Sequence, residues 1–557
     1  MMAMTTSSSK SVKAQPDCRE VFTLKNPAGG AFLQIKFPWR VNVKTLSSVQ
    51  QKSSVPMKII FTGLLLASAL ALRAADTNAP AAAKEINALA KIPDASHAPV
   101  CVTNTVAIAG ERVTYVAETG MLPLLKADGT SRASIFYVAY TRTDGKADAR
   151  RPVTFCFNGG PGSASVWLHL GALGPRRVKM NEDGSLPAPP FALVDNEFSL
   201  LNASDLVFID PVATGFSRPA KDEKTDQFFG DSGDLESVGE FMRLWTTRHD
   251  RWLAPKFVCG ESYGVFRAAG LADHLRGRYG MYLNGLILVS GVLDFGTISG
   301  GTGNDLPYPL ILPAYTAAAH FHKKLSADLQ ADLTKALAEA REFAKGEFSS
   351  ALQQGAALPQ AAREKIVAEL VRLTGLKAAI FEDNNLRVDP SVFRKQLLHD
   401  DGLILGAYDA RLTGRDGDAA AQGAGFDPSA AAVTGPFSAA MNAYVRRELK
   451  FEDDLPYELI AGVQPWNYGV RNNFANASDR LAAVMNQNPY LKILVLGGRC
   501  DLVCPIDTMR HSLGHMPLAD AYQKNITFAE FEAGHMMYIN RPDLKKFQEV
   551  VGQFVRP

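Results

Sequence analysis

Short, mostly apolar runs that each end in a glycine-rich or acidic loop constrain this chain most. They are Val153-Thr154-Phe155-Cys156-Phe157, Leu206-Val207-Phe208-Ile209, Phe257-Val258-Cys259, Leu286-Ile287-Leu288-Val289, Ile493-Leu494-Val495-Leu496 and the run 526–531. A helix-like stretch, 234–247, separates the second from the third. Buried strands alternating with helices predict a mostly parallel sheet covered on both faces. The residues in front follow another grammar. Val113, Tyr115 and Ala117 alternate with polar neighbours, Ala127-Asp128-Gly129 is a turn, and 135–140 is a second strand, so 102–141 predicts antiparallel pairing.

Between about 300 and 480 the pattern changes again. Leu325, Leu329, Leu333 and Leu337 recur every four residues and predict one amphipathic helix; 361–373 predicts another. Residues 416–425 predict a flexible loop. The expected organisation is a core built from 76–300 and 481–557, with a mainly helical insertion, 301–480, capping the carboxyl edge of the sheet. A length of 557 residues suits a core with such an insertion.

Charge and cysteine content exclude several functions. The formal net charge is +2, which gives no drive toward nucleic acid or an acidic membrane. Of the six cysteines, Cys156 and Cys259 lie in apolar runs and read as small core residues. Cys500 and Cys504 are close enough to pair or to bind a metal, but neither a second pair nor a histidine ligand stands nearby. Near the start, Met57-Lys58 opens an apolar run, 59–72, ending in small residues at Ala69-Leu70-Ala71 and Ala74-Ala75, the pattern of a secretory signal. The run is too short for a comfortable membrane span. Residues 1–75 therefore read as an upstream extension plus signal, with translation starting at Met57, and residues 76–100 as a disordered Ala- and Pro-rich leader. The expected location is secreted or periplasmic, without stable membrane insertion after signal cleavage.

Reactive groups in such sheets gather at the carboxyl ends of the strands. Gly260-Glu261-Ser262-Tyr263-Gly264 follows the run 256–259 and precedes a helix-compatible stretch, 265–275. This strand–elbow–helix context predicts that Ser262 is a nucleophile. A serine hydroxyl needs a base and an orienting acid. Asp501 follows the run 493–496, and His535, in Glu532-Ala533-Gly534-His535-Met536, follows the run ending at Phe531. The order Ser262, Asp501, His535 is that of the α/β-hydrolase fold; Asp507 is the nearby competitor for the acid. His169 and His274 fall inside helix-like stretches, and His320 and His322 lie in the insertion. His511 and His515 are four apart but lack a third ligand, so no metal is expected. The loop Phe157-Asn158-Gly159-Gly160-Pro161-Gly162-Ser163 is bare enough for backbone N–H groups to meet an oxyanion together with the N–H of Tyr263. It lacks the phosphate-binding lysine motif.

Taken together, Asn158-Gly159-Gly160-Pro161-Gly162, Gly174-Pro175, the block 210–217, Gly260 to Gly264, Asp501 and Gly534-His535-Met536 resemble the hallmark blocks of the serine carboxypeptidase family, in a bacterial-type form. The resemblance implies an α/β-hydrolase that removes C-terminal residues from peptides, usually at acid pH, without metal or organic cofactor. It implies Ser262 as nucleophile, His535 as base, Asp501 as orienting acid, and the N–H groups of Gly160 and Tyr263 as oxyanion hole. Asn158 and Glu261 would bind the substrate's terminal carboxylate. Two positions depart from the family. Ser163 stands where many members have a disulfide cysteine, and Ala172 stands where they carry a glutamate, half of an acid pair. An esterase or acyltransferase on the same core, and a non-catalytic binding protein, are the rival readings.

Overall fold

A computed structural model describes residues 99–556 except 145–147, 149 and 422. The signal, the translation start and most of the leader expected above lie outside the described residues. The main sheet contains β1 (Val100–Ile108), β2 (Glu111–Leu125), β3 (Ser131–Arg142), β4 (Val153–Phe157), β5 (Asp205–Ile209), β6 (Lys256–Glu261), β7 (Gly285–Val289), β8 (Lys492–Gly498) and β9 (Ile526–Phe531). Their spatial order is β1-β2-β3-β5-β4-β6-β7-β8-β9, with the short strand Arg218–Pro219 pairing β3. The pairings among β1, β2, β3 and β5 are antiparallel, and those from β5 through β9 are parallel. This is the mostly parallel α/β-hydrolase sheet expected from the sequence, with its antiparallel lead-in.

Strand alternation explains why both faces of the inner runs are apolar. Phe155 and Phe157 face one core with Leu286 and Leu288, while Cys156 faces the other with Ile287 and Val289. Cys156 and Cys259 are register neighbours and buried, free thiols. The helices that cover the sheet are α1 (Asp231–Arg248), α2 (Tyr263–Tyr279), α3 (Pro428–Arg447), α4 (Ser478–Gln487) and α5 (Arg541–Val555). The first face is covered by α1, α2 and α4 through Phe241, Trp245, Phe266, Leu271 and Leu481. The second is covered by α3 and α5 through Phe437, Tyr444, Phe547 and Val551.

The segment between β7 and α4 is mainly helical. Helices Pro307–Phe321, Leu333–Phe343 and Gln360–Thr374 bury a separate apolar cluster that also takes in Cys500 and Leu502 from the loop after β8. Farther along, α3 returns to the main core. The leucine repeat is two helices rather than the single one expected, Ala327–Gln330 and Leu333–Phe343. Asp332 divides them because its side chain accepts from the Lys335 N–H and caps the second helix. The start of the loop expected to be flexible is anchored: Lys395, fully buried, donates to Asp416 Oδ2 and to the Asp418 carbonyl, each at 2.5 Å. Among the described residues, no helix is long and apolar enough to cross a membrane.

Candidate active site

Ser262 stands between β6 and α2 with φ +60° and ψ −126°, a conformation that side chains rarely adopt and that costs about 1–3 kcal/mol. The turn closes because Gly260 has no side chain; a Cβ there would sit 2.2 Å from the Gly264 carbonyl oxygen. Ser262 itself is half-buried, and its N–H donates to the Val289 carbonyl at 3.0 Å. Tyr263 opens α2, so its N–H is one of the first-turn donors without an intrahelical acceptor.

The glycine loop after β4 lies against this turn. A Cβ on Gly159 would come 2.4 Å from Tyr263 N, and Gly160 has φ +99°. Arg267, buried in α2, ties the two together. Its Nη1 donates to the Asn158 carbonyl at 2.6 Å and its Nε to Asp234 Oδ2 at 2.7 Å. The guanidinium also lies over the rings of Phe157 and Tyr263. Ser163 accepts from Trp167 Nε1 at 2.8 Å and so holds a local hydrogen bond.

Asp501 and His535 meet at the ends of β8 and β9. His535 Nδ1 lies 2.8 Å from Asp501 Oδ2, and both side chains are buried. The other carboxylate oxygen accepts from the N–H groups of Val503 (2.8 Å) and Cys504 (2.9 Å), which orients the acid. Burial disfavours the imidazolium, but the charge and hydrogen bond of Asp501 and then the charge of Glu261 outweigh it, leaving the His535 pKa raised. The competitor Asp507 pairs with Arg341 instead, at 2.9 Å.

A loop of the insertion completes the histidine's seat. The Tyr408 carbonyl accepts from His535 N at 2.5 Å, and the two rings stack with centroids 5.3 Å apart. Gly534 permits this approach, since its Cβ would fall 2.0 Å from that same carbonyl. Nothing in the local sequence around Tyr408 signals the role.

Glu261 precedes the nucleophile and is buried, 3% exposed. Burial pushes its carboxyl pKa up to about 7, against the pull of His535, Tyr538 and Asn158. Tyr538 donates to its Oε2 at 2.7 Å. Beside it, Asn158 accepts from the Leu168 N–H at 3.1 Å, while its Nδ2 is buried without a hydrogen-bond partner. Tyr538 escaped the sequence reading although it follows His535 by three residues. Ala172 is buried in the short helical stretch His169–Leu173.

His169, His320 and His322 have other partners. His169 Nε2 meets the Tyr140 hydroxyl at 2.6 Å, and burial lowers its pKa to about 3. His320 and His322 face the carbonyls of Gln330 and Ala410. The His511 and His515 rings lie 4.0 Å apart at the end of the helix Ile506–Gly514. Cys500 and Cys504 are buried, free thiols.

Comparison with known proteins gives the same frame. A family model described as serine carboxypeptidase matches residues 113–392. Serine carboxypeptidase-like 5 of Arabidopsis thaliana is 32% identical over 134 residues, 23% of this chain and 29% of that protein. Serine carboxypeptidase-like 16 of the same plant is 27% identical over 193 residues, covering 32% of this chain and 41% of its own length. The chain thus spans well under half the length of these curated relatives, which are plant rather than bacterial proteins. A crystal structure of a prohormone-processing carboxypeptidase from Saccharomyces cerevisiae superposes with a TM-score of 0.50 at 17% identity, over 79% of this chain and 91% of that one, and shows the shared fold. With half of its length matched by the family model, the chain belongs to the serine carboxypeptidase family.

Proposed function

We propose that the protein is a serine-type carboxypeptidase that trims C-terminal residues from peptides in a secreted or periplasmic setting, with residues 301–480 as the cap over its site. The observation that carries this reading is the pair beside the nucleophile: a buried Glu261 with a pKa near 7 and, next to it, the buried Asn158 amide. An arginine would be the obvious partner for a substrate carboxylate. A protonated Glu261 and an amide Nδ2 can instead donate one hydrogen bond each. That recognition works in acid and fails once Glu261 ionises.

In this reading Ser262 Oγ attacks the scissile carbonyl and its proton passes to His535 Nε2. Asp501 holds Nδ1–H and stabilises the imidazolium. The N–H groups of Gly160 and Tyr263 receive the oxyanion; losing one such donor costs about 3–4 kcal/mol of transition-state stabilisation. The C–N bond then breaks, the departing amine takes the proton from His535, and the acyl group stays on Ser262. Water, deprotonated by His535, hydrolyses the ester and releases the shortened peptide. No step calls for a metal or an organic cofactor.

The test is digestion of a defined peptide mixture at pH 5, read by mass spectrometry, with Ser262→Ala as control. Successive loss of C-terminal residues by the wild-type protein alone is the expected result. Hydrolysis of simple esters without trimming of any peptide would replace this reading with a general esterase or acyltransferase. Failure of a fluorophosphonate to label Ser262 would point to a non-catalytic binding protein.

A further inference from the structure

Glu261 has a partner outside the residues so far given roles. The Tyr538 hydroxyl donates to Glu261 Oε2 at 2.7 Å, and both side chains are buried. The ring is held in place from behind. Gly171 lies so close that a Cβ there would meet Tyr538 Cε2 at 2.5 Å. Gly171 belongs to His169–Leu173, the same short stretch that carries Ala172, where the family resemblance implies a second acid. The segment that lacks the acid therefore gives its space to a tyrosine arriving from the loop after His535.

We propose that Tyr538 is the positioning residue for the carboxylate reader: its hydroxyl fixes one oxygen of Glu261 and thereby aims the other, beside the Asn158 amide, at the C-terminal carboxylate of the peptide. A tyrosine differs from a second acid in a way that matters. Two carboxyls in one pocket share a proton, and each raises the pKa of the other. A phenol that donates a hydrogen bond stabilises the charged form of its partner instead. Tyr538 thus moderates the effect of burial on Glu261 and brings its ionisation down toward neutrality, in line with the pull it exerts on the Glu261 pKa. The other titratable groups facing Glu261 are His535, Asp501, Tyr408 and Cys504. The first two serve every substrate alike, which allows their contribution to be subtracted.

The inference rests on the carboxypeptidase reading, and the experiment separates the two. KM and kcat are measured from pH 4.5 to 8.5 for wild type and Tyr538→Phe. One substrate is an N-acylated dipeptide with a free carboxylate, the other its C-terminal amide or ester. The phenylalanine ring preserves the packing against Gly171, and a thermal melt checks that the fold is kept. For wild type, KM of the free-carboxylate substrate climbs with pH while that of the blocked substrate does not. In Tyr538→Phe the acid-limb KM rises several-fold as the aim is lost. The midpoint of the climb moves up by about one pH unit, because Glu261 has lost a hydrogen bond to its charged form. An unmoved midpoint, or an equal change for both substrates, overturns the role of Tyr538. If wild type itself fails to distinguish the two substrates, the carboxylate reader falls, and with it the proposal built on it. A Tyr538→Phe protein that melts early is replaced by Gly171→Ala, whose new methyl crowds the ring; it should shift the same midpoint upward, and an unmoved midpoint there also overturns the inference.

Discussion

At the residue scale, the proposed chemistry divides between groups that serve any acyl substrate and groups that serve only a peptide end. Ser262 and His535 belong to the first set and act as a unit. Ser262→Ala should abolish turnover, and adding His535→Ala should cost little more, because either change alone removes the same step. Single-turnover rates of the two single variants and the double variant measure this; multiplying losses would show that the residues do not share one mechanism. Glu261 belongs to the second set. In the proposed reading, Glu261 donates to a substrate carboxylate below its pKa of about 7 and repels one above it. Peptide KM should therefore climb as pH rises through neutrality in wild type, and Glu261→Gln should flatten the climb, because an amide donates at every pH. Initial rates on peptide and blocked ester across pH 5 to 8 check this. The turn that carries Ser262 was legible from the sequence because the glycines around it announce a tight turn, whereas the roles expected of Glu261 and Asn158 came from the family resemblance. Tyr408 and Tyr538 were not, since a tyrosine carries no local signal of what its carbonyl or hydroxyl will meet.

At the scale of elements, Arg267 of α2 joins the nucleophile turn to the glycine loop. Its partner Asp234 lies in α1, and burial, opposed by Arg267, leaves the Asp234 carboxyl pKa raised. Arg267→Met would leave that acid buried without a counter-charge, a loss of about 3–5 kcal/mol. It would also release the Asn158 carbonyl, so the loop proposed to carry the oxyanion donor would lose its tether. Urea denaturation should report the stability loss. The kcat should fall on peptide and ester substrates alike, in contrast to Glu261→Gln, which should spare the ester. The leucine repeat of the insertion marks the limit of periodicity as a guide. A spacing of four residues continues across Asp332, but the capping bond from Asp332 starts a new helix there.

At the scale of the whole molecule, buried ionisable groups set a pH window for stability. Glu261 and His535 both have raised pKa values in the fold. A raised pKa contributes stability at low pH that is lost as pH rises through the folded value. For Glu261, between its ordinary value and about 7, that loss is on the order of 3 kcal/mol. Other acids act in the opposite sense. Glu118, where burial is outweighed by hydrogen bonds from His249 and Tyr137, and Glu530, where burial is outweighed by Arg341, have lowered pKa values. Their stability is present above the unfolded carboxylate range and is lost as pH falls through their depressed values. His169 opposes Glu261 in the same window: its pKa, lowered by burial to about 3, withdraws stability as pH falls below the ordinary imidazole range. The Glu261 part should therefore show as a difference, with the Tm of Glu261→Gln falling less, or rising more, than that of wild type between about pH 5 and 7.5. Scanning calorimetry of both proteins across this range checks the expectation; identical Tm profiles would remove Glu261 from the account.

What the amino-acid sequence determined by itself is what local chemistry encodes. Mostly apolar runs of strand length specify buried strands, and the glycines of the 157–163 loop and of the turn around Ser262 specify where backbone must approach without a Cβ between. The order of the strand-end loops puts Ser262, Asp501 and His535 after the carboxyl ends of β6, β8 and β9. The tertiary structure alone decided which distant groups meet those strand ends. Tyr408 reaches His535 from the insertion, Arg267 crosses to the Asn158 carbonyl, and Tyr538 fills the space beside Gly171 to hold Glu261. These contacts join side chains or carbonyls to partners more than a hundred residues away in the chain. Each depends on two surfaces packing at a given distance, and distance in space is not written in the periodicity or composition of either segment.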